Sequence, residues 1–203
     1  MREKVEIPAP EDIEVVNRKK PTVPPEEYLP FRPDEDGVPP MANFGEGYRY
    51  HITGLIHSEK GLPISDSQQI DHFIRRINDK INKNIKDILI YEEYLLDDAK
   101  IALIAYGSVA RAAERTVKLA REEGLKVGLL KLLTIWPFCF EKVNKLAHQV
   151  DLIIVPEMNL GQMALEVERA SQGKCRVVPY SRVDGELINP IEILGKIREE
   201  IKK

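Results

Sequence analysis

Three groups of residues carry side chains that could do chemistry. In the stretch GYRYHITGLIHSEKGLP (47–63), His51 and His57 flank Thr53 and Gly54. Two imidazoles and a hydroxyl beside a glycine that lets the backbone come close suit a polar substrate. Hydrogen bonding within a surface loop is the other reading. Tyr106-Gly107-Ser108 follows one apolar run, and Glu157-Met158-Asn159-Leu160-Gly161-Gln162 follows another. A glycine at such a turn, with the free amides of a following helix, could hold an anion, so Gly107, Ser108, Asn159, Gly161 and Gln162 are the crevice candidates. Neither turn has a GxGxxG or a phosphate-loop lysine–serine pattern, so turn and cap work competes with binding. No residue is assigned as catalytic. His72 and His148 lie in helical patterns and are read as structural. Cys139 and Cys175 show no CxxC and no ligand spacing, so no metal, iron–sulfur cluster or disulfide is expected. Trp136-Pro137-Phe138 reads as a packing plug, or else as a partner contact.

Those residues need elements to position them. Four short apolar runs, 101–106, 127–133, 152–155 and 175–180, do not alternate with polar residues, as expected of strands buried on both faces of a parallel sheet. Between and after them come helical patterns. One runs from Ser108 and stops at Gly124; one covers about 139–149; one lies around Met163, Val167 and Ala170 and stops at Gly173. The last starts with Asn189 as cap, Pro190 at the first helical position and Glu192 at the third. Alternating strand and helix define a three-layer α/β/α sandwich with right-handed crossovers.

Upstream, GYRYHITG alternates rings and polar groups like a short strand. Ser65 and Gln68 make a capping box, and Ile70, Phe73, Ile74, Ile77, Ile81, Ile85 and Ile88 keep helical spacing, so a long helix is expected over about 66–96. Nine of the fourteen prolines fall in the first forty residues, which predicts an extended arm over 1–46 and an α/β domain over 47–203. Val15, Val16, Tyr28, Leu29, Phe31 and Phe44 are too many apolar groups for a wholly solvated linker.

Thirty basic against thirty-three acidic residues leave a net charge of -3 and no field to recruit nucleic acid or an anionic membrane. The cluster Arg18-Lys19-Lys20 is too short to change that. The charged fraction of 31% fits either surface ion-pair networks or a well-solvated surface. No apolar run approaches the roughly 18 residues of a membrane helix, and a cytoplasmic protein is expected.

Four segments, GYRYHITGLIHSEKGLP, AYGSVARAA (105–113), TIWPF (134–138) and VPEMNLGQM (155–163), resemble in order and spacing the α subunits of 2-oxoacid:ferredoxin oxidoreductases, above all the 2-oxoglutarate type. The opening MREKVEIP and RKKP at 18–21 are similar to the connector leaving that family's first thiamine-enzyme domain. Cys139 and Ser58 depart from the family, which often has proline and an acidic residue there. The resemblance implies a transketolase C-terminal-like sheet of five strands in order 1-3-2-4-5, strand 1 antiparallel. Tyr48–Thr53 would be that first strand, and the two glycine turns would share one crevice at the topological switch.

It also implies CoA-dependent oxidative decarboxylation of a 2-oxoacid, 2-oxoglutarate for the type it resembles most, by an assembled enzyme holding thiamine diphosphate, Mg²⁺ and an iron–sulfur cluster. No cofactor is expected on this chain alone, which lacks a YPITP-like motif. The expectation is therefore a split or shortened subunit, inactive by itself, supplying packing and interface. Its partners would be the thiamine-binding domain, the β subunit, ferredoxin and CoA. The loop bearing His51, Thr53 and His57 would face the substrate entrance. The alternative is a stand-alone small-anion-binding or regulatory domain.

Overall fold

Proline locks φ and removes a donor, so the first forty residues have few regular options. In the computed structural model, which describes residues 5–203, their one helical feature is a 3-10 turn at Pro10–Asp12. The first four residues of MREKVEIP lie outside the described residues. The chain forms two compact units, Met1–Ile85 and Lys86–Lys203. Residues 47–85 thus group with the arm, whereas the sequence pattern joined them to the α/β domain.

The first unit is held together by aromatic side chains. Tyr28 is buried; its hydroxyl donates to the Pro40 carbonyl (3.2 Å) and accepts the Ala42 amide (3.2 Å). The rings of Tyr48 and Tyr50 pack edge-on against it at 5.0 and 6.0 Å. This corrects the expected first strand. The alternation in Tyr48–Thr53 comes from rings packing on the arm, and the segment forms no ladder. Two cations of the basic cluster are paired locally, Lys19 with Asp34 and Asp36, Lys20 with Glu46.

Helix α1 spans Ser67–Lys83. Its cap is Asp66, whose carboxylate accepts the Gln69 amide at 2.9 Å, one residue later than the Ser65 capping box expected. Asn84 ends the helix, its side chain donating back to the Lys80 carbonyl (2.7 Å). The isoleucine periodicity runs across this stop, which is why one helix over 66–96 was expected. The chain instead makes a short helix α2, Ile85–Ile88, and then strand β1, Tyr91–Tyr94.

In the second unit β1 is the antiparallel edge, its Tyr91 opposite Leu132. It is followed by β2 (Ile101–Tyr106), α3 (Gly107–Glu122), β3 (Val127–Leu132), α4 (Phe140–Ala147), β4 (Leu152–Glu157), α5 (Gln162–Ser171), β5 (Arg176–Ser181) and α6 (Pro190–Ile201). The sheet order is β1-β3-β2-β4-β5, with all pairs but β1–β3 parallel. The expected order and antiparallel edge hold, with a different segment as strand 1. Apolar faces of α4 and α5 bury one side of the sheet around Ile104, Leu130 and Ile153; α3 and α6 bury the other around Leu103, Leu129 and Ile154. Asn189 and Glu192 form the expected reciprocal cap of α6.

Trp136 is 68% exposed, so it is no packing plug; Pro137 and Cys139 beside it are the buried residues. Among the described residues no helix is long and apolar enough to cross a membrane.

Candidate functional site

In a parallel sheet of this order the chain leaves β2 and β4 in opposite directions, which opens a crevice at their carboxyl ends. The β2–β4 ladder runs from Ile101↔Leu152 to Leu103↔Ile154, whereas β2 stays paired with β3 as far as Tyr106↔Leu132, and β4 with β5 as far as Glu157↔Ser181. The last residues of the two central strands therefore part. Side chains span the gap. The Tyr106 hydroxyl donates to Glu157 Oε2 (3.4 Å) and accepts from Asn159 Nδ2 (2.6 Å). Burial, then the Glu157 charge, hold the Tyr106 phenol above its usual range.

Sequence reasoning missed the centre of this network. Glu157 is fully buried, and its carboxylate accepts the amides of Met163 (3.1 Å) and Ala164 (2.9 Å) in the first turn of α5. Asn159 Oδ1 accepts the amides of Gly161 (2.8 Å) and Gln162 (3.2 Å). Four amides that an external anion would need are thus engaged by the chain's own side chains, and a buried carboxylate already stands there. The signal was available: a glutamate closing an apolar strand and standing six residues before a helical amide. Gly107 and Ser108 lie exposed at the start of α3, which has no side-chain cap. The structure therefore brings Asn159, Gly161 and Gln162 together as a capping network, with Gly107 and Ser108 across the switch.

The loop from His51 to Gly61 belongs to the first unit. The Ser58 amide donates to the Leu62 carbonyl and the Ile64 amide to the Ile56 carbonyl around the turn. Gly61 has φ +81°, and a Cβ there would lie 2.2 Å from the His51 carbonyl oxygen, so only glycine fits. His57 packs between Phe31 (ring centroids 3.9 Å) and Phe73 (5.1 Å), its Nδ1 3.1 Å from the Ser58 carbonyl. A carbonyl can only accept, so Nδ1 carries the proton and Nε2 is left for another partner. Thr53 Oγ1 accepts the Leu55 amide at 3.2 Å, which is turn work, and His51 is exposed. Of the three entrance candidates His57 lines a cleft of about 830 Å³, with Phe31, Lys60, Phe73 and Arg76.

Among the described residues no group of three or more His, Cys, Asp or Glu side chains is placed to hold a metal ion, and these residues do not fit a metal centre or an iron–sulfur cluster. Burial raises the thiol pKa of Cys139 and of Cys175, the latter also through Asp151.

Residues 99–193, which hold β2 to β5, α3 to α5 and the start of α6, match the family of pyruvate:ferredoxin oxidoreductase core domain II. The second unit is a domain of that class. Across 97% of its length the chain is 42% identical to the 2-oxoglutarate synthase subunit KorA of Methanothermobacter thermautotrophicus, and across 86% it is 34% identical to the ketoisovalerate oxidoreductase subunit VorB of the same organism. A solved 2-oxoglutarate:ferredoxin oxidoreductase from Magnetococcus marinus superposes with a TM-score of 0.80 over 96% of this chain and 34% of that one, at 27% identity. Along almost its whole length the chain is similar to 2-oxoglutarate-type subunits of the 2-oxoacid:ferredoxin oxidoreductases. It spans about half the length of the curated relatives it matches.

Proposed function

We propose that the chain works within the α subunit of a cytoplasmic, CoA-dependent 2-oxoglutarate:ferredoxin oxidoreductase. The observation that carries this reading is similarity along almost the whole chain to 2-oxoglutarate synthase subunits, together with the 0.80 superposition on an enzyme solved with 2-oxoglutarate, coenzyme A and succinyl-CoA. Thiamine diphosphate with Mg²⁺ would supply the decarboxylation chemistry, and an iron–sulfur cluster the electron path to ferredoxin; both are proposed for other parts of the assembly.

In this reading the second unit is a rigid mount. Its core fixes the ends of β2 and β4, and the Glu157 network fixes the start of α5. Ile135, Trp136, Leu160, Val183 and Leu187 follow the carboxyl ends of the strands and are all exposed, as suits contact with the thiamine-binding domain and the β subunit. The 51–61 loop, with His57 at its cleft, is proposed to face the substrate entrance; His51 and Thr53 would act there through loop shape. The chain alone would be inactive.

Affinity purification of the tagged chain from cells that make it tests the assembly. Co-purification of a thiamine-diphosphate-binding partner and of protein-bound iron and sulfide is expected. A chain recovered alone, with neither, would contradict the proposal.

A further inference from the structure

The cleft in the first unit has a charge imbalance that its packing role does not require. Three permanent cations line it, Arg32, Lys60 and Arg76, against two carboxylates, Glu59 and Asp66. Both carboxylates are engaged within the chain: Glu59 accepts from Arg32 Nε at 2.9 Å, and Asp66 caps α1. Arg76 is held in place, one nitrogen donating to the Gly37 carbonyl (3.1 Å) and the guanidinium lying 5.5 Å from the centre of the Phe73 ring, which leaves its other N–H groups without a hydrogen bond among the described residues. Lys60 is exposed and forms no ion pair among the described residues.

A guanidinium already immobilised loses little freedom when it binds. Fixed donors beside an uncompensated ammonium select a negatively charged partner. We infer that this cleft binds a small organic anion with at least two negative charges, carried on phosphate or carboxylate groups, held by Lys60 and Arg76. The proposal rests on reading the 51–61 loop as ligand-facing, and it does not require the oxidoreductase activity.

The test is calorimetric titration of the full chain with pyrophosphate and, separately, with glutarate at low ionic strength. Saturable one-to-one binding of at least one is expected, and the tighter of the two tells which anionic group the cleft prefers. Lys60→Gln and Arg76→Gln should each weaken it by about tenfold, the scale of one lost charged hydrogen bond. Because Lys60 is exposed and unpaired, Lys60→Gln should leave the thermal midpoint unchanged, which separates lost binding from lost folding. Failure of both anions to saturate below about 1 mM, or unchanged affinity in both variants, overturns the proposal. Binding by a chain that never assembles into an active oxidoreductase would uphold the cleft and sink the enzyme assignment; an active assembly whose chain binds neither anion would do the reverse.

Discussion

Glu157 Oε1 lies 2.9 Å from the amide of Ala164, and through this contact a strand end and a helix start across one turn are locked together. The carboxylate is fully buried and also accepts the Met163 amide. Glu157→Ala leaves two buried amides without acceptors and should cost about 2–4 kcal/mol. Glu157→Gln keeps one good acceptor and should cost less. Urea denaturation of the two variants checks the order; an alanine variant within about 0.5 kcal/mol of the parent would show that the contact carries no stability.

Glu200 is 3% exposed and is met by Lys196, Lys203 and Arg176. Hydrogen bonds from Lys196 and then Lys203 pull its pKa from 4.5 down to about 2. A depressed folded-state pKa gives stability that is complete above the unfolded value and is lost as pH falls towards the folded one. Stability should therefore drop between about pH 4.5 and pH 2, and Glu200→Gln should flatten that part of the curve. A variant whose acid limb matches the parent would refute the assignment.

At Gly61 the backbone has φ +81° and faces the His51 carbonyl, whereas an added Cβ at Gly54 meets nothing within 4 Å. Gly61→Ala should destabilise the first unit by about 1–3 kcal/mol, and Gly54→Ala should be near neutral. Limited proteolysis of the 51–64 segment reads the difference. Equal protection of the two variants would mean that the loop tolerates the strain.

His57 lies between two aromatic rings, so the imidazole contributes to packing whatever else it does. His57→Ala should lower the stability of the first unit by about 1–2 kcal/mol. A double-mutant cycle with Phe31→Leu should show coupling between the two positions. Strict additivity would mean that the 3.9 Å approach has no energetic content.

The sheet was legible because its strands are continuous apolar runs and its helices carry clear ends, such as Asn189-Pro190 and Gly124. Strand β1 was not, because YEEY has two glutamates facing water at an edge, while Tyr48–Thr53 shows the alternation of a strand for a different reason. Periodicity cannot tell rings packed on an arm from rings packed on a sheet. Asn84 ends the helix, but the isoleucine spacing runs on past it. The two glycine turns were found, yet the amides of the second proved already engaged, because a buried Glu157 in an apolar strand end reads in sequence as the start of a loop. Lys60, Arg76 and Phe31 carry no local pattern. They come from three separate segments, and folding alone brings them to the His57 cleft.

The central claim is tested most directly by turnover. The chain, co-purified with its partner subunits and supplied with thiamine diphosphate, Mg²⁺ and CoA, is assayed for reduction of ferredoxin with 2-oxoglutarate, pyruvate and 2-oxoisovalerate in parallel. CoA-dependent reduction with kcat/KM highest for 2-oxoglutarate is the expected result. A complex that prefers 2-oxoisovalerate or pyruvate, or that reduces ferredoxin with none of the three, would contradict it.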